Sequence, residues 1–125
     1  MRVKISVIIL LISLLVGITS FLYINSSCRT LISLTDTAIE CIKKNDTESV
    51  DINVKNIEAR YKKSLTVFNI FLNQSDTLSL QNTINIANAY VKINDYDSAI
   101  LYLFEYKNIL NGIIINNTPS VATIF

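Results

Sequence analysis

The chain has 125 residues, half of them hydrophobic, with eleven basic and ten acidic side chains and a net charge of +1. It contains no His and no Trp, which excludes a Ser-His-Asp triad, a Cys-His pair and a His-ligated metal site. The near-neutral charge argues against nucleic acid as a partner. Asn and Ile are frequent enough to point to an AT-rich coding genome, so N-x-S/T matches such as Asn45-Asp46-Thr47 are assigned to composition rather than to glycosylation.

Residues Ile5 to Ile24 carry no charge and follow Arg2 and Lys4. At about 1.5 Å rise per residue the run covers roughly 30 Å, so it predicts a single transmembrane helix. Positive charge on the short N-terminal flank favours a cytoplasmic start, although Arg29, Lys43 and Lys44 beyond the run oppose it. The predicted organisation is a cytoplasmic flank at 1–4, a transmembrane helix at 5–24 and an extracytoplasmic helical domain at 25–125, located at the cell membrane. The remainder is long enough for one small domain.

A cleaved secretory signal has a shorter apolar core, about 7 to 15 residues, and no A-x-A site follows this one. Cys28 stands behind Asn25-Ser26-Ser27, which partly resembles a lipobox with Asn25 where that motif places an aliphatic residue. Cys28 is therefore the candidate for lipidation or, facing the membrane surface, for an intermolecular disulfide. Cys28 and Cys41 on one helix lie about 20 Å apart along its axis and do not bridge each other. Cys41 reads as a small buried apolar residue.

No Gly or Pro follows the span for many turns, and Leu31, Leu34, Ala38 and Cys41 extend the first helix to about Lys44. Asn45-Asp46-Thr47 supplies turn and capping chemistry. A second helix follows with Val54, Ile57, Tyr61, Leu65, Phe68 and Leu72 on one face. Opposite them Lys55, Arg60, Lys62 and Lys63 form a basic patch, read as the wet face with lipid headgroups or an acidic partner as the functional alternative. After the break at 73–77 a third helix is expected over about Leu78–Ile93 with Ile84, Ala87 and Val91 inward. Asn94-Asp95 turns the chain into a fourth helix, about Tyr96–Ile114, which is apolar nearly all round.

Asp36, Glu40, Asp46, Glu48 and Asp51 read as solvated helix exterior, because paired catalytic carboxylates need a shaped apolar cleft. The chain is expected to be no enzyme and to need no cofactor or metal.

Two resemblances follow from these residues. Ile86 to Lys92 and Asp95 to Ile100 are similar to a tetratricopeptide repeat, with Tyr90 and Ala99 at the signature spacing and Ile86 and Leu103 as conservative matches. Thr83 stands for the signature Trp, Ala87 for the Gly and Asn111 for the Pro. Because such repeats share a core among about three copies and no earlier copy is present, the resemblance implies one tight antiparallel helix pair rather than a superhelix. The whole chain resembles the small bacterial proteins classed as domain of unknown function 4363, found largely in spore-forming Gram-positive bacteria. That resemblance rests on the basic start, the apolar span, the long amphipathic helix pair, Asn94-Asp95 and the closing Thr123-Ile124-Phe125, which looks like the family's Asn-Ile-Phe ending. Tyr61 and Phe68 stand on the face where the family commonly carries a Trp. It implies an anchored helical domain and supplies no active site.

The expected fold is all-α, an N-terminal transmembrane helix continuing into a small antiparallel bundle. The expected role is binding, as a subunit or scaffold of a bacterial envelope assembly, with the membrane, a second copy or another membrane protein as partner. Large aromatics dominate contact energy, so Tyr102, Phe104 and Tyr106 on the last helix are the contact candidates. Phe125 joins them as the end of a tail with the form of a PDZ-type ligand, although packing of Ile124 and Phe125 onto the helices is preferred. The alternative is an exported lipoprotein or secreted helical protein binding a peptide or small ligand.

Overall fold

With no proline and only Gly17 as a potential weak point, residues 2–43 offer no stop signal, and in the computed structural model they form one helix, α1 (Arg2–Lys43). The structure describes residues 2–117; the expectations placed on Thr123, Ile124 and Phe125 lie outside that range. Three further helices follow, α2 (Thr47–Phe71), α3 (Gln74–Lys92) and α4 (Tyr96–Asn117), with no strand among the described residues.

The joints α1–α2 and α3–α4 use one chemistry twice. Asn45 and Asn94 both take φ 61°, the left-handed conformation in which Asn is among the best-tolerated residues. At the first joint the Asp46 N–H donates to the Cys41 carbonyl at 2.9 Å and the Asn45 N–H to Ile42 at 3.1 Å. At the second, Asp95 donates to Tyr90 at 2.9 Å and Asn94 to Val91 at 3.1 Å. These paired bonds satisfy carbonyls that a helix end leaves open. Each Asp then caps the next helix: Asp46 accepts from the Ser49 N–H and hydroxyl (3.4 and 2.8 Å), Asp95 from the Ser98 N–H and hydroxyl (3.2 and 2.9 Å).

The middle joint is different and tighter. The Leu72 N–H donates to Phe68 at 2.8 Å, and the Asn73 side chain accepts from the Ser75 N–H at 3.1 Å. That cap starts α3 at Gln74, earlier than the Leu78 expected from its first apolar residue, with Asp76 placed favourably against the helix dipole. At the other end α4 passes through Gly112 and reaches Asn117, because buried Ile113 anchors a turn that glycine alone weakens by only about 1 kcal/mol.

The buried positions repeat in steps of four and three on every helix: Ile24, Cys28, Leu31, Thr35 and Ala38 on α1; Val50, Val54, Ile57, Tyr61, Ser64 and Phe68 on α2. On α3 they are Thr77, Leu80, Ile84, Ala87 and Val91, and on α4 Ala99, Leu103, Tyr106, Leu110 and Ile113. A mean step of 3.5 is the seam of a left-handed bundle. Each helix packs on its sequence neighbours and α4 closes on α1, an up-down-up-down arrangement whose thinnest seam is α2–α3. Ala87 and Ala99, both fully buried, lie in the α3–α4 pair.

This periodicity shifts some inward positions. Leu65 and Leu72, on the apolar face predicted for α2, are half-buried, while Thr35 and Ser64 hold core positions. Thr35 is cheap to bury because its hydroxyl donates to the Leu31 carbonyl at 2.7 Å, and Thr77 likewise donates to Asn73 at 3.1 Å.

Candidate functional site

α1 divides by environment. Residues 2–19 are all exposed, including Leu10 at 69% and Leu15 at 65%, whereas from Ile24 onward the helix supplies the core. By length and composition α1 is able to cross a membrane, and none of its apolar window is buried. A water-exposed helix of this composition would present a continuous apolar surface far larger than single domains leave uncovered.

Cys28 lies inside the bundle, fully buried, and this corrects its expected place facing the membrane surface. The four-three seam of α1 carries Cys28 between Ile24 and Leu31, so its thiol points at the other helices. Cleavage ahead of it would remove buried Ile24 and Ser27 from the core, and an intermolecular disulfide would require the bundle to open. Burial pushes the Cys28 thiol from its usual 9.0 up to about 12, since the thiolate loses its water. Cys41 is half-buried and accepts from the Asn53 amide nitrogen at 3.5 Å. Alkylation at pH 8 is therefore expected to modify Cys41 well before Cys28, with Cys28 reacting only on denaturation, as read by peptide mass. Above pH 9.0 the unfolded thiol ionises while the folded one keeps its proton, so the stability this group contributes is present below that pH and is lost as pH rises toward about 12.

The aromatic candidates of α4 separate. Tyr106 is fully buried and belongs to the core, not to a contact surface, because it sits on the four-three seam. Tyr102 is half-buried in the α3–α4 seam, stacked on Tyr90 with centroids 5.5 Å apart. Phe104 remains exposed at 40% with the Lys43 ammonium 5.8 Å over its ring. Leu101, one turn from Phe104 on the same outward face, is 67% exposed. Helical apolarity alone could not separate these roles; the seam spacing 99, 103, 106, 110 does.

Two tyrosines mark the polar part of the core. The Tyr61 hydroxyl donates to the Thr77 carbonyl at 3.0 Å, whereas the Tyr106 Oη has no protein partner. Burial raises the Tyr106 phenol well above its usual range, with Tyr61, Cys28 and Glu58 adding to the shift. The same substitution should then act oppositely at the two sites. Tyr61→Phe is expected to cost about 1 kcal/mol, and Tyr106→Phe to leave stability unchanged or raise it by about 1 kcal/mol, compared by denaturant midpoints.

The carboxylates singled out in the sequence are spent on structure or face water. Asp36 pairs with Lys107 at 2.7 Å and Asp51 with Lys55 at 3.1 Å, Asp46 is a cap, and Glu40 and Glu48 are exposed. Among the described residues no three Cys, Asp or Glu side chains gather as a metal-ligand set. Hollows of about 200 and 150 Å³ open on the α2–α3 seam around Tyr61 and Gln81, below the roughly 300 Å³ at which small-molecule sites begin. A larger, open hollow of about 640 Å³ runs along α1 past Leu22, Asn25, Arg29 and Ser33.

The family described as Domain of unknown function (DUF4363) matches residues 18–124. The chain belongs to this family. No curated protein and no solved structure matches it. In this DUF4363 protein the matched region begins near the end of the apolar half of α1 and takes in all of α2, α3 and α4. It therefore covers the bundle and leaves out most of the exposed apolar segment.

Proposed function

We propose that this DUF4363 protein is a single-pass membrane protein whose bundle stands on the extracytoplasmic side and works by binding, as a subunit or scaffold of a bacterial envelope assembly. The observation that carries the reading is α1 itself: one uninterrupted helix is exposed over residues 2–19, uncharged from Ile5, and a core element of the bundle from Ile24. With no joint between the two halves, the anchor holds the bundle at a set height and tilt. Arg2 and Lys4 ahead of the span support a cytoplasmic N-terminus.

The partner is another membrane protein or a second copy, and Leu101 with Phe104 on the outer face of α4 is the contact surface. Both are exposed apolar side chains whose removal leaves the seam residues in place. The exported-lipoprotein alternative is the weaker one, since its mature chain would begin at a buried cysteine after losing Ile24.

Detergent-phase partitioning with intact mass tests the anchor: full-length mass in the detergent phase is expected, and a mass beginning at Cys28 or lacking the apolar segment would overturn it. Crosslinking in native membranes tests the surface. Leu101→Asp with Phe104→Ser should abolish a crosslinked species at unchanged helicity; a retained species sinks the assignment of that face.

A further inference from the structure

Charge is sorted along the bundle axis. The α1–α2 and α3–α4 joints share one end, called distal; the α2–α3 joint, the emergence of the apolar half of α1 and the end of α4 share the other, called proximal. Distal residues 38–56 and 85–105 hold seven carboxylates against four amines. Proximal residues 24–35 and 57–84 reverse the balance, with Arg29, Arg60, Lys62 and Lys63 against Glu58 and Asp76. Between the two ends Asp36 and Lys107 neutralise each other at 2.7 Å. The ion pairs among the described residues, Lys55–Asp51 and Lys107–Asp36, leave Arg29, Lys62 and Lys63 without a carboxylate.

Beyond those bases the α2–α3 tip exposes apolar side chains: Ile70 at 68%, Phe71 at 45% and Leu78 at 54%. Lys63 and Ile70 stand one seven-residue step apart, so they share the outward face of α2. Helix length sets the height of this tip. The 25 residues of α2 rise about 37 Å. The same distance measured back from Asn45 along α1 ends near residue 20, where the exposed apolar half meets the bundle. The exposure pattern agrees, since Ser20 and Phe21 are the first residues of α1 to lose full exposure.

We infer that the proximal end of the bundle docks on an anionic lipid surface, with Ile70, Phe71 and Leu78 entering the boundary between headgroups and acyl chains and Arg29, Lys62 and Lys63 engaging the headgroups above them. This rests on the reading of α1 as a membrane span. Two observations select lipid as the occupant: the apolar tip is level with the point where the exposed apolar half of α1 leaves the bundle, and the end on that side is the basic one. The spacing also suits it. Lys62 and Lys63 lie about 12 Å up the axis from Ile70 and Phe71, which leaves the amines at the headgroups when the apolar tip sits roughly 5–10 Å into the headgroup and acyl boundary. Basic side chains close to an anionic leaflet add attraction that salt screens.

Because the chain has no Trp, single introduced tryptophans report depth without interference. The full chain is reconstituted into vesicles of phosphatidylglycerol and phosphatidylcholine carrying brominated acyl chains. Phe71→Trp and, independently, Ile70→Trp are compared with Leu10→Trp in the span and Ile52→Trp near the distal end, each verified by circular dichroism. Strong quenching and a blue shift are expected at 71, 70 and 10, with none at 52. In the Phe71→Trp background, Lys62→Glu with Lys63→Glu should lose most of the quenching at 71 and leave that at 10 unchanged in a Leu10→Trp control.

Quenching at 10 without quenching at 70 or 71 overturns docking while the anchor stands; quenching at neither overturns both. A blue shift at 71 without quenching means that protein, residues 118–125 or a second copy, covers the tip, and this too overturns the inference. Quenching at 71 that is equal in pure phosphatidylcholine and indifferent to the charge reversal overturns its anionic-lipid component.

Discussion

Phe68→Ala is expected to destabilise the bundle by about 3–5 kcal/mol, the usual cost of emptying a fully enclosed phenylalanine site. Phe68 is fully buried on the α2 seam and meets the Tyr61 ring edge-on with centroids 6.1 Å apart. Its loss removes transfer energy, leaves a void in a rigid four-sided core and deprives Tyr61 of a packing partner. For a domain of this size the whole folding free energy is on the order of 5–15 kcal/mol, so the variant should stand near its unfolding threshold. Phe71→Ala, three residues on and 45% exposed, should stay within about 1 kcal/mol of the parent. Denaturant titration of the two variants, followed by circular dichroism in the same mild detergent, compares them. Equal midpoints would show that Phe68 does not carry the α2 seam.

Leu14→Arg is expected to expel the chain from the membrane fraction without unfolding the bundle. Leu14 lies near the centre of the apolar run, 61% exposed and distant from the core, and an arginine at the middle of a span costs roughly 2.5–3.5 kcal/mol of insertion. Leu14→Ala serves as the control and should remain membrane-bound. Carbonate extraction reads the first effect and the denaturant midpoint the second. Retention of Leu14→Arg at parental yield would remove the case for residues 5–24 as a span; a lowered midpoint would show the apolar half to be folded against the bundle.

Helix number and helix ends were legible residue by residue because their causes are local. Asn45-Asp46 and Asn94-Asp95 place a residue tolerant of positive φ directly before a strong N-cap, so each pair both ends one helix and starts the next. The start of α3 was less legible: Asn73 caps a first turn of polar residues, and hydrophobic periodicity is blind to a turn with nothing apolar in it. Core membership was legible only in part. Leu65 looked the better inward residue and Ser64 took the position, because a helix packed in a bundle follows a 3.5-residue seam and small residues fit where helices approach. Cys28 turns inward for the same reason, since proximity to the apolar segment in sequence says nothing about which way a helix face points.

The sequence by itself determined the all-helical class, the uncharged apolar segment, the two repeated joints and the absence of histidine chemistry, since each depends on residue type and short spacing. Only the tertiary structure decided that α4 buries Tyr106, seats Tyr102 against Tyr90 and leaves Phe104 outside, and that Cys28 is interior. Only it gathered Arg29 and Lys62 with Ile70, Phe71 and Leu78 at one end of the bundle. Those facts depend on which helices become neighbours and on the rotation of each about its axis, and both follow from the summed packing of four seams rather than from any one stretch of chain.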